Sequence, residues 1–252
     1  MREADCRVVT HAERPELRER WSELVAPAWP EFMLHDQVCN RYWRRLTECF
    51  PDCQFYLCDE STGTVLGVGN TVPVAWDGTI DGLPGGVDDM LVRVFGADVP
   101  APPSNTLSAL QAIVVADQRG RGLSAAIIRE MGAIAGRHGF SSLIAPVRPT
   151  WKSRYPLTPM ERYIRWTRED GLPLDPWLRV HRRLGAEILA VAERSMNVSG
   201  TVADWEQWTG LRFPDCGPYI VPGALNPVVI DRERDEGRYV EPNVWMRHPV
   251  GQ

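Results

Sequence analysis

Residues 107–136 read LSALQAIVVADQRGRGLSAAIIREMGAIAG, and the order of elements in this stretch decides the fold. An apolar run of strand length, Leu107 to Ala116, is followed by the turn Asp117-Gln118-Arg119-Gly120-Arg121-Gly122. Leu123, Ile127, Ile128, Met131 and Ile134 then recur at helical spacing as far as Gly136. In such a unit the free amides at the helix start, together with the helix dipole, favour a phosphate or pyrophosphate. Gly120 and Gly122 let the backbone approach that ligand closely, and Arg119 and Arg121 add positive charge around it. The turn is not a P-loop, because no Gly-Lys-Ser/Thr follows, and it lacks the GxGxxG spacing of dinucleotide folds. Taken alone it suits an ordinary αβ connection equally well.

Outward from this unit the chain alternates strand and helix signals. Upstream, Arg7 to Thr10 is a short strand candidate. Leu17, Trp21, Leu24 and Val25 fall at helical spacing, as do Val38, Tyr42 and Leu46 after Asp36, with Pro27 and Pro30 between the two sets. Gln54–Cys58 and Thr64–Trp76 read as strands joined at Ser61-Thr62-Gly63. Residues 77–106, rich in Gly and Pro, form a long connection with a helical turn over Val87–Phe95. Downstream come a strand at Leu143–Val147, an aromatic and arginine-rich segment over 148–174, and a helix from Asp175 to Gly185. Strands at Ile188–Val191, Tyr219–Val221, Val228–Ile230 and Tyr239–Met246, with a helix over Val202–Trp208, complete the chain. Strands occurring in runs favour an α+β fold around a mixed sheet over a doubly wound one.

Composition narrows the function classes. The 252 residues carry 28 Lys+Arg and 33 Asp+Glu, a net charge of −5, which argues against a general nucleic-acid binder. Of the basic residues 27 are arginine and one, Lys152, is lysine, a bias that mainly reflects codon usage in a GC-rich genome. The placement is uneven. Residues 119–194 hold 13 Arg, one Lys and 7 acids, so an anionic ligand is sought there. No apolar run is long enough for a transmembrane helix, and Met1-Arg2-Glu3-Ala4-Asp5-Cys6 is too polar for a signal peptide, so a soluble cytoplasmic protein is expected. Six cysteines, with Cys49, Cys53 and Cys58 lacking a CxxC spacing, suggest reduced thiols and no metal site.

The segment Arg119-Gly120-Arg121-Gly122-Leu123-Ser124 resembles the acetyl-CoA signature Gln/Arg-x-x-Gly-x-Gly/Ala of the GCN5-related N-acetyltransferases, with Ser124 where Gly or Ala is usual. Val180-His181-Arg182-Arg183-Leu184-Gly185-Ala186 is similar to that family's Leu-Tyr-x-Lys-Leu-Gly-Phe, and the block from Tyr155 to His248 resembles a larger subset of the family. The resemblance implies one domain, residues 1–252, with insertions at about 77–106 and 148–174 and an extended C-terminal part at about 195–252. Its α+β fold would be a central mixed, mostly antiparallel sheet of about seven strands, flanked by helices and splayed between the fourth and fifth strands. It implies an acyl-CoA-dependent N-acyltransferase, with acetyl-CoA or another acyl-CoA as co-substrate, no metal, and direct attack by a small-molecule amine. Other readings are a longer acyl-CoA or an acyl carrier protein as donor, or a non-catalytic CoA-binding module; a homodimer is compatible with all of them.

The resemblance further implies that the acyl-CoA pairs with Ala112, Ile113 and Val114 and that its pyrophosphate meets the amides of Gly120, Arg121, Gly122, Leu123, Ser124 and Ala125, beside Arg119. The Val114 amide would polarise the thioester carbonyl. His181 stands where the family's acidic tyrosine is usual, and Ser108 where a glutamate is usual. Tyr155 and Tyr163 are substitute acids, with Glu161, Asp170, Asp88 and Asp89 as candidate bases, or a water chain in their place. Both insertions are expected to wall the acceptor site, the second as a lid or as an aromatic packing unit. Trp205 and Trp208 are expected in the core, and Glu241 and Asn243, beside Pro242, at a kink near the acceptor.

Overall fold

In the computed structural model, which describes residues 6–96 and 103–250, nine strands join one mixed sheet. Strands β1 (Cys6–Thr10), β2 (Gln54–Asp59), β3 (Val65–Val74) and β4 (Thr106–Val114) run antiparallel in that order, and β4 then pairs with β5 (Ser142–Val147) in parallel. The long β9 (Glu236–His248) takes β5 against its C-terminal half and β8 (Val228–Asp231) against its N-terminal end. Along its other edge lies β6 (Glu187–Gly200), and β7 (Gly217–Tyr219) closes the far side on β8. The two strands beyond the expected seven are the β7–β8 hairpin of the C-terminal extension. Part of the first insertion, residues 97–102, lies outside the described residues.

Helices cover both faces because each carries one apolar stripe. On one face α4 (Leu123–Arg137) and α6 (Pro176–Arg183) bury Ile127, Met131 and Leu178 against Leu107, Leu143, Val147 and Val244. On the other α2 (Gln37–Cys49), α3 (Val87–Phe95) and α7 (Val202–Thr209) bury Leu46, Met90 and Trp205 against Val72, Val198 and Trp245. Trp205 is in the core and Trp208 half-buried beside it, stacked on His35. Short helical turns and α1 (Trp21–Val25) make the β1–α2 connection, and α5 (Met160–Tyr163) sits in the second insertion. No helix among the described residues is long and apolar enough to cross a membrane.

Two irregularities position the site. In β3–β4 pairing Asn70 meets Gln111 but Thr71 meets Ala109, so Leu110 is an extra residue, a β-bulge. The bulge reverses the side-chain alternation of β4: Leu107 and Ala109 pack beside α4 before it, Ala112 and Val114 after it. Immediately beyond, β4 and β5 part. Their pairing stops at Ser108–Ile144, leaving the rest of both strands splayed.

Candidate active site

The splay opens into a cavity of about 1400 Å³ whose wall includes β4 residues Leu110 to Val114. The N–H of Val115 donates to the Leu66 carbonyl at 3.0 Å. Strand alternation therefore turns the backbone of Ile113 toward β3 as well and leaves the N–H and C=O of Ala112 and Val114 facing the gap. Of the three positions assigned to this role from sequence, Ile113 offers its buried side chain instead of its backbone.

At the end of β4 the chain turns through Gly120 and Gly122, both in the left-handed region at φ +80° and +79°, where a side chain would be strained. Gly122 is the N-cap of α4, and no side chain caps that terminus. The amides of Gly120 to Ser124 have no acceptor among the described residues, while that of Ala125 already bonds the Gly122 carbonyl at 3.0 Å. A fifteen-residue helix thus presents open amides and its positive dipole end to the cavity. Arg119 lines the opening and is exposed; Arg121 is held against the Gln118 side chain.

His181, on α6, lines the same cavity and is 1% exposed. Its Nδ1 lies 2.8 Å from Nε2 of His248 on β9, and its own Nε2 has no partner. The Trp177 ring meets the imidazole edge-on at 4.4 Å between centroids. Burial, with a smaller contribution from His248, holds His181 well below the usual histidine range, and burial lowers His248 to about 4. Both rings are therefore neutral at pH 7. His181 is not the standing imidazolium that would be the simplest acid for a thiolate; a neutral ring must act through its N–H or its lone pair.

Across the cavity stand the α1–α2 connection, with Trp29, Met33 and Leu34, and the β3–β4 face, with Asn70 and Gln111. Pro242 interrupts β9 where three β6 residues, 193–195, stand opposite it, two more than a regular ladder needs, and the flanking Glu241 and Asn243 line the cavity. Glu241 is fully buried; it accepts from Arg148 Nε at 2.9 Å and from Tyr239 Oη at 2.9 Å. Arg148 also donates to the Gly223 carbonyl and lies over the Trp29 ring. Near Cys39, which like Val87 lines the cavity, Asp36 and Asp88 are buried within 4.8 Å of each other, with Asp88 Oδ2 accepting from the Asn197 amide at 2.9 Å. Burial and the neighbouring Asp36 carboxylate raise Asp88 to about 7, and burial raises Asp36, so the two share a proton. Asp36, Cys39 and Asp88 have metal-compatible spacing, a grouping the sequence reading missed because no local motif connects residues 36 and 88.

The remaining catalytic candidates lie elsewhere. Tyr163 is buried and donates to Asp175 Oδ2 at 2.8 Å, and burial together with that carboxylate raises its phenol far above the usual range. Tyr155 packs on Tyr163 and Trp166 with its outer side in solvent, and Glu161 is exposed. None of the three lines the cavity; the tyrosines pack in an aromatic cluster, the second of the two arrangements the sequence allowed for this segment. Only Arg148 and Thr150 of the second insertion reach the cavity wall. The insertion is instead pinned from beneath. Asp175 caps α6 through the amides of Trp177 and Leu178 and also accepts from the Trp151 amide, while buried Lys152 donates to the carbonyls of Tyr155 and Leu225. Asp89 pairs with Arg93 and Asp170 lies beside Arg168 on the surface.

No family model matches the chain. A curated relative, arginine N-acetyltransferase avaD of Aspergillus versicolor, is 31% identical over 272 aligned positions, covering 96% of this chain and 93% of the relative. Among solved structures, the loading GNATL domain of CurA from Lyngbya majuscula superposes with a TM-score of 0.61 at 17% identity, covering 97% of both chains. The GphF GNAT-like decarboxylase in complex with isobutyryl-CoA gives 0.60 at 17% identity, covering 97% of this chain and all of that one. At such identities the two structures attest the fold.

Proposed function

The chain belongs to the GCN5-related N-acetyltransferase superfamily, and on that premise we propose that it moves the acetyl group of acetyl-CoA to an amine of a small molecule. Arginine, the acceptor in the relative's name, is the first compound to test. The observation that carries the reading is the exposed backbone of β4 beside the splayed β5, ending on the open amides of α4. An extended pantetheine adds to such a strand edge by main-chain hydrogen bonds, and a pyrophosphate suits the helix start.

Length decides which amide meets the thioester. Val114 stands nearest the pyrophosphate loop, and at about 3.3 Å per residue β4 runs about 13 Å back to Leu110. A pantetheine laid along the strand carries its thioester toward the bulge. The bulge backbone at Leu110, rather than Val114, is then the donor that polarises the carbonyl and holds the tetrahedral oxyanion. The amine nitrogen forms the C–N bond, loses a proton, and the C–S bond breaks; the departing thiolate takes a proton. We assign that exchange to His181, which lines the cavity and whose buried Nε2 has no partner. Asn70, Gln111, Arg148 and Glu241 supply polar groups on the acceptor side.

Calorimetry with CoA and release of free thiol from acetyl-CoA plus arginine test the proposal together. CoA binding that is abolished by Gly122→Glu, with amine-dependent thiol release in the native chain, is the expected result. Equal CoA binding by both proteins removes the loop from the account.

A further inference from the structure

His181 and His248 come from distant parts of the chain, one from the last turn of α6 and one from the end of β9. Their ring nitrogens approach to 2.8 Å in a region where both side chains are at least 96% buried. Only one ring touches the cavity: His181 lines it and His248 does not. Two imidazoles at that separation hold a single hydrogen between them. If it sits on His248 Nε2, then His181 accepts at Nδ1 and presents an N–H at Nε2. If it sits on His181 Nδ1, then His181 presents a lone pair at Nε2.

We propose that His248 is a positioning residue of the acyl-transfer site, setting through this shared hydrogen whether His181 meets the substrates as base or as acid. The inference rests on the acyl-transfer reading and adds the proton path. As the amine attacks, its proton passes to His181 Nε2. The hydrogen on His181 Nδ1 moves to His248 Nε2, and His248 Nδ1 releases a proton to water. As the C–S bond breaks, the sequence reverses: the thiolate takes the Nε2 hydrogen, His181 Nδ1 recovers the one on His248, and water reprotonates His248 Nδ1. One proton leaves the amine, one reaches the sulfur, and the pair returns to its starting tautomers. A base and an acid are thus supplied by one side chain, in a chain with His181 and Ser108 at the positions where the family's tyrosine and glutamate are usual. The Trp177 ring packs edge-on against the His181 imidazole.

Three measurements decide it. In the native protein, nitrogen-15 spectra of the histidine rings should show one proton coupled to both His181 Nδ1 and His248 Nε2; its absence overturns the proposal. His248→Leu should lower kcat about a hundredfold, in the range of a lost acid–base contribution, with KM for acetyl-CoA and for the amine within about twofold. An unchanged kcat, or a change confined to KM, contradicts the assignment. His248→Gln retains a donor and acceptor for His181 Nδ1 but cannot relay. Single-turnover rates in mixed light and heavy water should curve for the native protein and become linear in this variant; a linear native profile also overturns the proposal. If His248→Leu fails to fold, the native spectrum and the isotope profile still decide. If acetyl-CoA binds but no amine is acetylated, the acyl-transfer reading fails, while the spectrum still tests the pair.

Discussion

Single residues show how burial, more than residue type, assigns roles in this protein. Asp88 illustrates it. Its carboxyl is raised from 3.8 to about 7 by burial and then by Asp36, so between pH 4 and 7 the folded chain keeps a proton that the unfolded chain has released. Stability contributed by that proton falls as pH rises through this window and is gone above it. Asp88→Asn removes the like charge, so relative to the native protein it should gain on the order of 2–3 kcal/mol at pH 8 and little at pH 4. Denaturant melts of both proteins at the two pH values check this, and the difference cancels the opposite contribution of His181 and His248, which both proteins share. Those histidines, lowered by burial, favour folding fully above their unfolded pKa and lose that contribution as pH falls below about 6.5. Arg119 is exposed beside the open amides. Arg119→Ala should weaken CoA binding about fivefold at low ionic strength and less at 0.5 M salt, because an exposed charge is screened; calorimetry at the two salt concentrations measures it.

At the scale of elements, caps and bulges carry the site. Asp175 holds the start of α6, the Trp151 amide and the Tyr163 phenol at once. Asp175→Ala loses a cap and leaves the buried Tyr163 hydroxyl unpaired, a cost of about 2–4 kcal/mol. Because α6 carries His181, activity should fall with stability, and thermal melts alongside thiol-release rates report both. The elements themselves were mostly legible in the chain. The helical spacing of α2 after Asp36, the bounds Val87–Phe95 of α3, and the strand–glycine–helix unit of β4 and α4 all follow from apolar spacing and turn residues. The long reach of β6 was not, because Glu193, Arg194 and Ser195 break the apolar alternation where the strand bulges opposite Pro242. Nor was the Leu110 bulge visible, since an uninterrupted apolar run has the same appearance with or without an extra residue. That Tyr155, Tyr163 and Glu161 lie away from the cavity wall was not legible for a related reason: sequence shows that a segment is aromatic and charged, not which side it packs on.

For the whole molecule, the sheet order explains why the site is assembled from so many segments. Splitting β4 from β5 exposes a strand edge in the middle of the sheet, and the helices that cover both faces supply the two walls of the resulting cavity. The arginine bias of the chain has a single exception, and it is structural. Lys152 is fully buried, burial lowers it to about 8, and it ties the second insertion to the loop before β8 through two carbonyls. The basic stretch 119–194 contains this anchor, the amide loop and Arg148, but it is not a single charged surface. His181 was found from its place in a family motif; its partner His248 is 67 positions away, and only the fold brings them together. The most direct test of the account is the product balance with carbon-13 acetyl-labelled acetyl-CoA and arginine. It predicts labelled acetylarginine and free CoA thiol in equal amounts, both lost with Gly122→Glu. Thiol release without an acetylated amine, or no thiol release from an enzyme that binds CoA, would contradict it.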